Sequence, residues 1–259
     1  MPKISVVTIC FNSEKCIENC IQSIINQSYD NKEFVVIDGS STDRTLQIIE
    51  KYKNRIDYFI SEPDKGISDA FNKGIRASTG DVIVFINSDD LLQDDALEKF
   101  AKYYNPSVDV YCGDVILWNS KTNYKALGKA VMRYPHIPFN YRLWHQAIYI
   151  KKSAYERYGY YNENLKYLMD LDLVMRMYQL KASFKNVPEI LATFQLGGIS
   201  QSSTSVLWEE RKKVIIDNGG TGFEAFIWVS YLKFRTLIKT VISLFGEDAR
   251  LLFVNKKYK

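Results

Sequence analysis

Residues 81–95, DVIVFINSDDLLQDD, constrain the fold more than any other stretch of the chain. Val82 to Ile86 form an unbroken apolar run rich in β-branched residues and preceded by Gly80, which predicts a strand buried on both faces. Asn87-Ser88-Asp89-Asp90 then falls at the C-terminal end of that strand, the edge where open α/β sheets hold their ligands. Adjacent carboxylates repel each other, and a cation between them relieves the repulsion. A hard divalent ion such as Mg²⁺ or Mn²⁺ suits oxygen ligands and keeps positions free for water and phosphate. The alternative is an acidic turn leading into a helix over residues 94–104, with Asp94 and Asp95 as its caps.

The rest of the chain repeats the theme. Strands are predicted at Ile4–Ile9, Phe34–Ile37 and Tyr58–Ile60, alternating with helical patterns that carry Cys16, Ile17, Cys20 and Ile21, then Leu46 and Ile49, then Ala70, Phe71 and Ile75. Regular alternation predicts a mostly parallel sheet with helices on both faces. Each strand ends in a polar turn: Phe11-Asn12, Asp38-Gly39-Ser40, Asp64-Lys65-Gly66 and the acidic cluster. On a parallel sheet such turns emerge on one edge and can line one pocket.

With 259 residues, 46% of them hydrophobic, the chain can bury a full α/β core and a modest appendage. Cys10, Cys16, Cys20 and Cys112 make no CxxC pair, so neither a disulfide framework nor a zinc site is expected, and a reducing cytoplasm fits. No secretory leader is expected ahead of the first strand, and no run approaches the ~18 apolar residues of a spanning helix. The net charge of +4 resides in residues 201–259, which hold 10 Lys and Arg against 6 Asp and Glu. A basic tail on a neutral body points to an anionic surface rather than to nucleic acid. No GxGxxG follows the first strand and no GxxxxGK[ST] occurs, which disfavours nicotinamide enzymes and P-loop NTPases.

Taken together and in order, SVVTICFNSE, VVIDGSSTDRT, SEPDKGISDAFNKGI and FINSDDLLQDD resemble the nucleotide-binding half of a family 2 glycosyltransferase with the GT-A fold, and the similarity runs from residue 4 to about residue 200. The resemblance implies a role for each matched position. Thr8, Phe11 and Asn12 would border the base and ribose, and Asp38 would accept a hydrogen bond from the base, typically uracil. Lys65, Gly66 and Asn72 would flank the ribose and diphosphate. Asn87, Ser88 and Asp89 occupy the DXD-like turn, with Asp89 on the metal, Asp90 supporting it, and neutral Asn87 where the family has an acid. Asp170 holds the position of the general base, while Met169 replaces the usual Glu beside it. The implied fold is α/β, GT-A and Rossmann-like, with a helical C-terminal extension.

The acceptor side is expected from residues 105–205. Asp114 either reaches the pocket or sits in an edge-strand turn, and His145 either acts on substrate or is a structural hydrogen-bonder. Trp144 follows an aromatic loop (Tyr134, Pro135, Pro138, Phe139, Tyr141) that suits a sugar ring. Asp172 is expected to stabilise a helix start, and Gly197-Gly198 either approach the diphosphate or form a plain connector. Residues 1–104 would then bind the nucleotide sugar, and residues 1–205 would form the catalytic domain. Residues 206–259 read as a basic amphipathic helix that lies on an anionic membrane or packs on the body or a second subunit. The expected activity is an inverting, metal-assisted transfer of a sugar, UDP-linked by preference, to an acceptor hydroxyl, a lipid-linked saccharide at the inner face of the cell membrane being the natural one. The rivals are a nucleotidyltransferase and a non-catalytic binding module.

Overall fold

The computed structural model describes residues 1–131, 143–197 and 205–244, without the side chains at 239, 240 and 242–244. Side-chain alternation on the first strand, β1 (Ile4–Cys10), sets the layers: Ile4 and Val6 enter one core, Val7 and Ile9 the other. The first core collects α1 (Ile17–Ile25), α2 (Thr45–Glu50) and α4 (Ala96–Ala101) on one face of the sheet. The second collects α3 (Ile67–Ala77), α5 (Lys152–Tyr158), α6 (Met169–Gln179) and part of α7 (Ser205–Asp217) on the other. Each aliphatic side chain taken fully from water stabilises the fold by about 1.5–3 kcal/mol before entropy is counted. Gly74 lets α3 sit close on the sheet, because a Cβ there would lie 2.5 Å from Val7 Cγ1.

The sheet order is β3-β2-β1-β4-β8-β6-β9-β5, with β7 paired to β6. Strands β2 (Lys32–Asp38), β3 (Tyr58–Ser61) and β4 (Val82–Phe85) run parallel with β1, as expected. Beyond β4 the sheet turns mixed: β8 (Ile148–Lys151) is antiparallel to both β4 and β6 (Val110–Asn119), and β9 (Phe184–Gln195) is parallel to β6. The two-residue β5 (Leu91–Leu92) and the hairpin strand β7 (Tyr124–Gly128) complete it.

Some expectations need correction. The fourth helix is shorter than residues 94–104. Asp95 takes its N-cap position at φ 56° without a side-chain cap bond, its carboxylate instead accepting Ser28 Oγ. Asp114 lies within β6 at a register shift rather than in a turn, and accepts the Ala130 N–H. Asp172 does more than begin a helix: it is buried and joins Arg176 to Asn218. The aromatic loop residues 134–141, Gly198 and everything past 244 lie outside the described residues.

All four cysteines are free, and burial pushes the Cys10, Cys20 and Cys112 thiols up, so they behave as inert apolar groups. After α7 the chain turns at Gly219 and enters α8 (Gly222–Leu244) through a reciprocal cap between Thr221 and Glu224. Ile215, Ala225 and Trp228 bury the α7–α8 contact, and no helix of the described residues is long and apolar enough to cross a membrane.

Candidate active site

Parallel pairing delivers the polar turns to one edge, and hydrogen bonds then tie them together. The Asn12 side chain, at φ 49°, accepts the Thr42 N–H, and its own N–H goes to Ser41 Oγ. Ser13 joins Ser88 through their hydroxyls at 2.8 Å, linking the first turn to the acidic one. Phe11 is 61% exposed beside Gly39, where a Cβ would collide with Asp64 Oδ2. An open aromatic face next to a carboxylate suits a nucleobase. Asp64 had read only as a turn residue.

Three of the expected site residues have partners within the protein. Asp38 is fully buried, and its two oxygens accept Ser41 N–H, Ser41 Oγ, Ser61 Oγ and Cys10 Sγ. Asn72 is buried and latches Tyr161 and Glu163 through three bonds. Thr8 is buried under α1 against Cys20 Sγ. Lys65 and Gly66 are exposed at the start of α3, where the Lys65 N–H bonds Asp69 and the Gly66 N–H bonds Asp64.

The acidic turn divides its labour. Asp90 is buried, with Gln146 Nε2 at 2.6 Å on one oxygen and the Gln195 N–H at 2.9 Å on the other, so it braces the turn against β9 and the short 3-10 helix His145–Ala147. Burial pushes both Asp89 and Asp90 up, and the charge of Asp89 raises Asp90 further, the electrostatics of a place that favours a cation. Asn87 Oδ1 is buried without a partner among the described residues. No group of three or more acidic, His or Cys side chains that could hold a metal occurs among the described residues. A divalent ion would therefore rest on Asp89 and the orphan Asn87 oxygen, with phosphate and water completing its shell.

Across from the turn stands His145. Its ring stacks on Phe85 at 5.8 Å, meets Phe71 edge-on and reaches the Tyr161 hydroxyl through Nε2 at 3.1 Å. Burial lowers the imidazole's pKa, and the charge of Asp170 opposes that shift, which brings Asp170 into the same neighbourhood. Trp144 is half-buried beside Phe194, and its indole N–H has no partner among the described residues. Asp170 itself is half-buried at the first turn of α6, and one carboxylate oxygen accepts the Leu171 N–H. Met169 points into the second core, so the residue that replaces the expected Glu is a packing residue.

What holds Asp170 in place was not visible in the motifs. Buried Glu210, on α7, accepts the backbone N–H groups of Lys166, Tyr167 and Leu168 at 2.7, 2.8 and 3.2 Å, just before α6 begins. The next residue, Arg211, feels the charge of Asp170. Leu207, Glu210, Arg211 and Val214 recur at helical spacing, and that stripe was the available signal.

The chain is 29% identical over 210 residues to a PGL/p-HBAD biosynthesis glycosyltransferase of Mycobacterium tuberculosis, covering 78% of this chain and 80% of that one. It is 33% identical over 126 residues to the poly(ribitol-phosphate) beta-N-acetylglucosaminyltransferase TarS of Staphylococcus aureus, covering 47% of this chain and 21% of TarS. Among solved structures, S. aureus TarS 1-349 in complex with UDP-GlcNAc superposes with a TM-score of 0.66 at 22% identity, over 83% of this chain and 66% of that one. The mannosyltransferase PcManGT from Pyrobaculum calidifontis, in complex with GDP-Man and Mn²⁺, gives 0.63 at 15% identity over 99% and 79%. These neighbours establish the GT-A-like fold of the sheet and its helices. The model of glycosyl transferase family 2 matches residues 5–165, more than half of the chain, and the protein belongs to that family.

Proposed function

We propose that this family 2 glycosyltransferase is an inverting enzyme that moves a sugar from a nucleotide diphosphate, UDP by preference, to an acceptor hydroxyl. The observation that carries the reading is the pairing of a cation-seeking acidic turn with a carboxylate, Asp170, held by Glu210 and neighbouring His145. Phe11 and the Asp38–Ser41–Ser61 knot shape the base pocket, with Asp38 acting through the loop it organises. Lys65 and Gly66 flank the diphosphate. Asp170 takes the proton of the attacking hydroxyl, while His145 and Trp144 border the acceptor, Asp114 supporting from β6. Asp89 and Asn87 would hold Mn²⁺ or Mg²⁺, with Ser88 keyed to Ser13 and Asp90 bracing the turn. When bound, the ion neutralises charge that gathers on the departing diphosphate. The UDP-GlcNAc bound to TarS supports the choice of uridine, and the Mn²⁺ in the mannosyltransferase supports a metal.

Residues 1–205 serve as the catalytic unit and 206–259 as an extension that completes it. Phe223, Phe226, Tyr231, Phe234 and Leu237 are exposed on α8, interleaved with Lys233 and Arg235. This pattern suits an anionic bilayer surface on the cytoplasmic side and hence a lipid-linked saccharide acceptor. Co-sedimentation with anionic but not neutral vesicles tests that seat.

The primary experiment is calorimetric titration with UDP and GDP, each with Mn²⁺ and with EDTA. Metal-dependent binding of UDP that disappears in Asp89→Ala is the expected result. Preference for GDP would overturn the donor assignment, and an absence of nucleotide binding under every condition would overturn the function.

A further inference from the structure

Helix α7 is tied by Glu210 to the segment just before α6, and the adjacent Arg211 feels the charge of Asp170. Glu210 fixes the backbone at Lys166–Leu168, and this sets the position of Arg211 relative to Asp170. Arg211 is half-buried, and its Nε is buried with no hydrogen-bond partner among the described residues. Among the described residues it forms no ion pair: every acid that pairs with a cation does so with a different one. Burial lowers the guanidinium's pKa, and the charge of Asp170 only opposes that trend. A half-buried guanidinium whose Nε lacks a partner carries a desolvation cost, and an anion that arrives to meet it offsets that cost. The planar fork of Arg matches phosphate oxygens in particular.

Geometry indicates which substrate brings that anion. In an inverting displacement the base and the leaving group stand on opposite faces of the sugar. The donor's diphosphate leaves toward the acidic turn, so a cation near Asp170 stands on the acceptor's side. We propose that Arg211 is a phosphate receptor for the acceptor, and that the acceptor carries a phosphate close to the hydroxyl that Asp170 deprotonates. The proposal rests on the transferase reading above and narrows its acceptor to a phosphate-bearing saccharide.

The test uses the full chain saturated with UDP, so that the donor's diphosphate subsite is filled. Pyrophosphate is then titrated into wild type, R211K and R211Q. R211Q is expected to weaken pyrophosphate binding by about tenfold or more, R211K by less, with UDP affinity held within about twofold. The thermal midpoint of R211Q should stay level or rise, because an unpaired buried charge has been removed; a merely structural Arg would lower it. Unchanged pyrophosphate affinity in R211Q overturns the proposal, and so does a loss that falls on UDP instead, which would place the guanidinium on the donor. If wild type binds pyrophosphate but no nucleotide, the donor reading fails while the R211Q difference still decides the role of Arg211. A parallel titration with farnesyl diphosphate in neutral micelles separates the two sources of phosphate: tighter binding than pyrophosphate indicates a lipid-linked acceptor, equal binding a soluble one.

Discussion

The two halves of this protein hold their chemistry in different ways. In the first half, β1 to β4 run parallel and each turn is fastened to its neighbour: Asn12 to Thr42, Ser13 to Thr45, Ser13 to Ser88. In the second half the sheet is mixed, and functional side chains depend on partners far along the chain. The segment before Asp170 depends on Glu210, and Asp90, at the end of the first half, is braced by Gln146 and Gln195 of the second. The first turns hold one another, whereas the acidic turn takes its brace from the second half. A cross-braced half couples the position of its reactive group to the docking of α7.

The sharpest way to break the comparison is to remove the carboxylate proposed as the base. Asp170→Asn is expected to lower transfer by about 10²–10⁴-fold, the usual worth of a general base, with UDP affinity and thermal midpoint unchanged. The carboxylate's one hydrogen bond goes to its neighbour's N–H, which the amide oxygen can also accept. Initial rates and UDP titrations on the same preparation check this, and a loss of UDP binding would mean that the halves are not separable.

Glu210→Gln probes the brace rather than the chemistry. Three backbone donors would lose a charged acceptor, at a cost of about 1–3 kcal/mol in stability. Turnover should fall along with it because the start of α6 moves, while UDP affinity does not change. Urea denaturation and steady-state kinetics report the two effects. A variant that loses stability but keeps its turnover number would show that Asp170 does not need the brace.

Acid should separate the halves as well. Glu33 is buried between β1 and the chain before β4. Burial alone would raise its pKa, but hydrogen bonds from Lys3, Ser5, Thr79 and Gly80 bring it down to about 2. A depressed carboxylate contributes stability that is fully present above its unfolded value near 4.5 and is lost as the pH falls toward about 2, on the order of 2–3 kcal/mol. His145 acts at higher pH. Burial holds it below 6.5 in the folded state, so its contribution is present above that value and declines as the pH drops beneath it. The acceptor half should therefore loosen first on acidification. Hydrogen exchange across about pH 7 to 3 tests the order, and Glu33→Gln should flatten the lower step.

These contrasts also explain what could be read from sequence. The parallel strands and their turns were legible because both the apolar period and the turn chemistry are local signals, and the four motifs lie within a hundred residues. The hydrogen-bond partners of Asp38 and Asn72, which only the fold brings near, were invisible. Glu210 and Arg211 were missed for a related reason. Glu209-Glu210-Arg211-Lys212-Lys213 reads as a solvated charge run, and Glu209 with Lys212 is indeed an exposed pair. Only the Leu207–Val214 stripe shows that two of these charges face inward.

The smallest expected effect bears on the acidic turn. Asn87 stands where the family pattern has an acid, and its orphan oxygen leaves an acceptor without a proton or a cation. Asn87→Asp adds a charge beside Asp89 and Asp90, which burial already pushes up. Without metal the third carboxylate is repelled, so the apo variant should be slightly less stable at neutral pH and gain stability as acid protonates the cluster. With Mn²⁺ and UDP the same charge becomes a ligand, and Mn²⁺ affinity should rise by a few-fold, about 1 kcal/mol. Calorimetric Mn²⁺ titration in the presence of UDP measures the gain, and urea midpoints with and without the ion measure the cost. A gain in metal affinity with no loss of apo stability would mean that the orphan oxygen points toward solvent-filled space rather than at its neighbours. A loss of apo stability with no gain would mean that the ion, if it binds, rests on Asp89 alone.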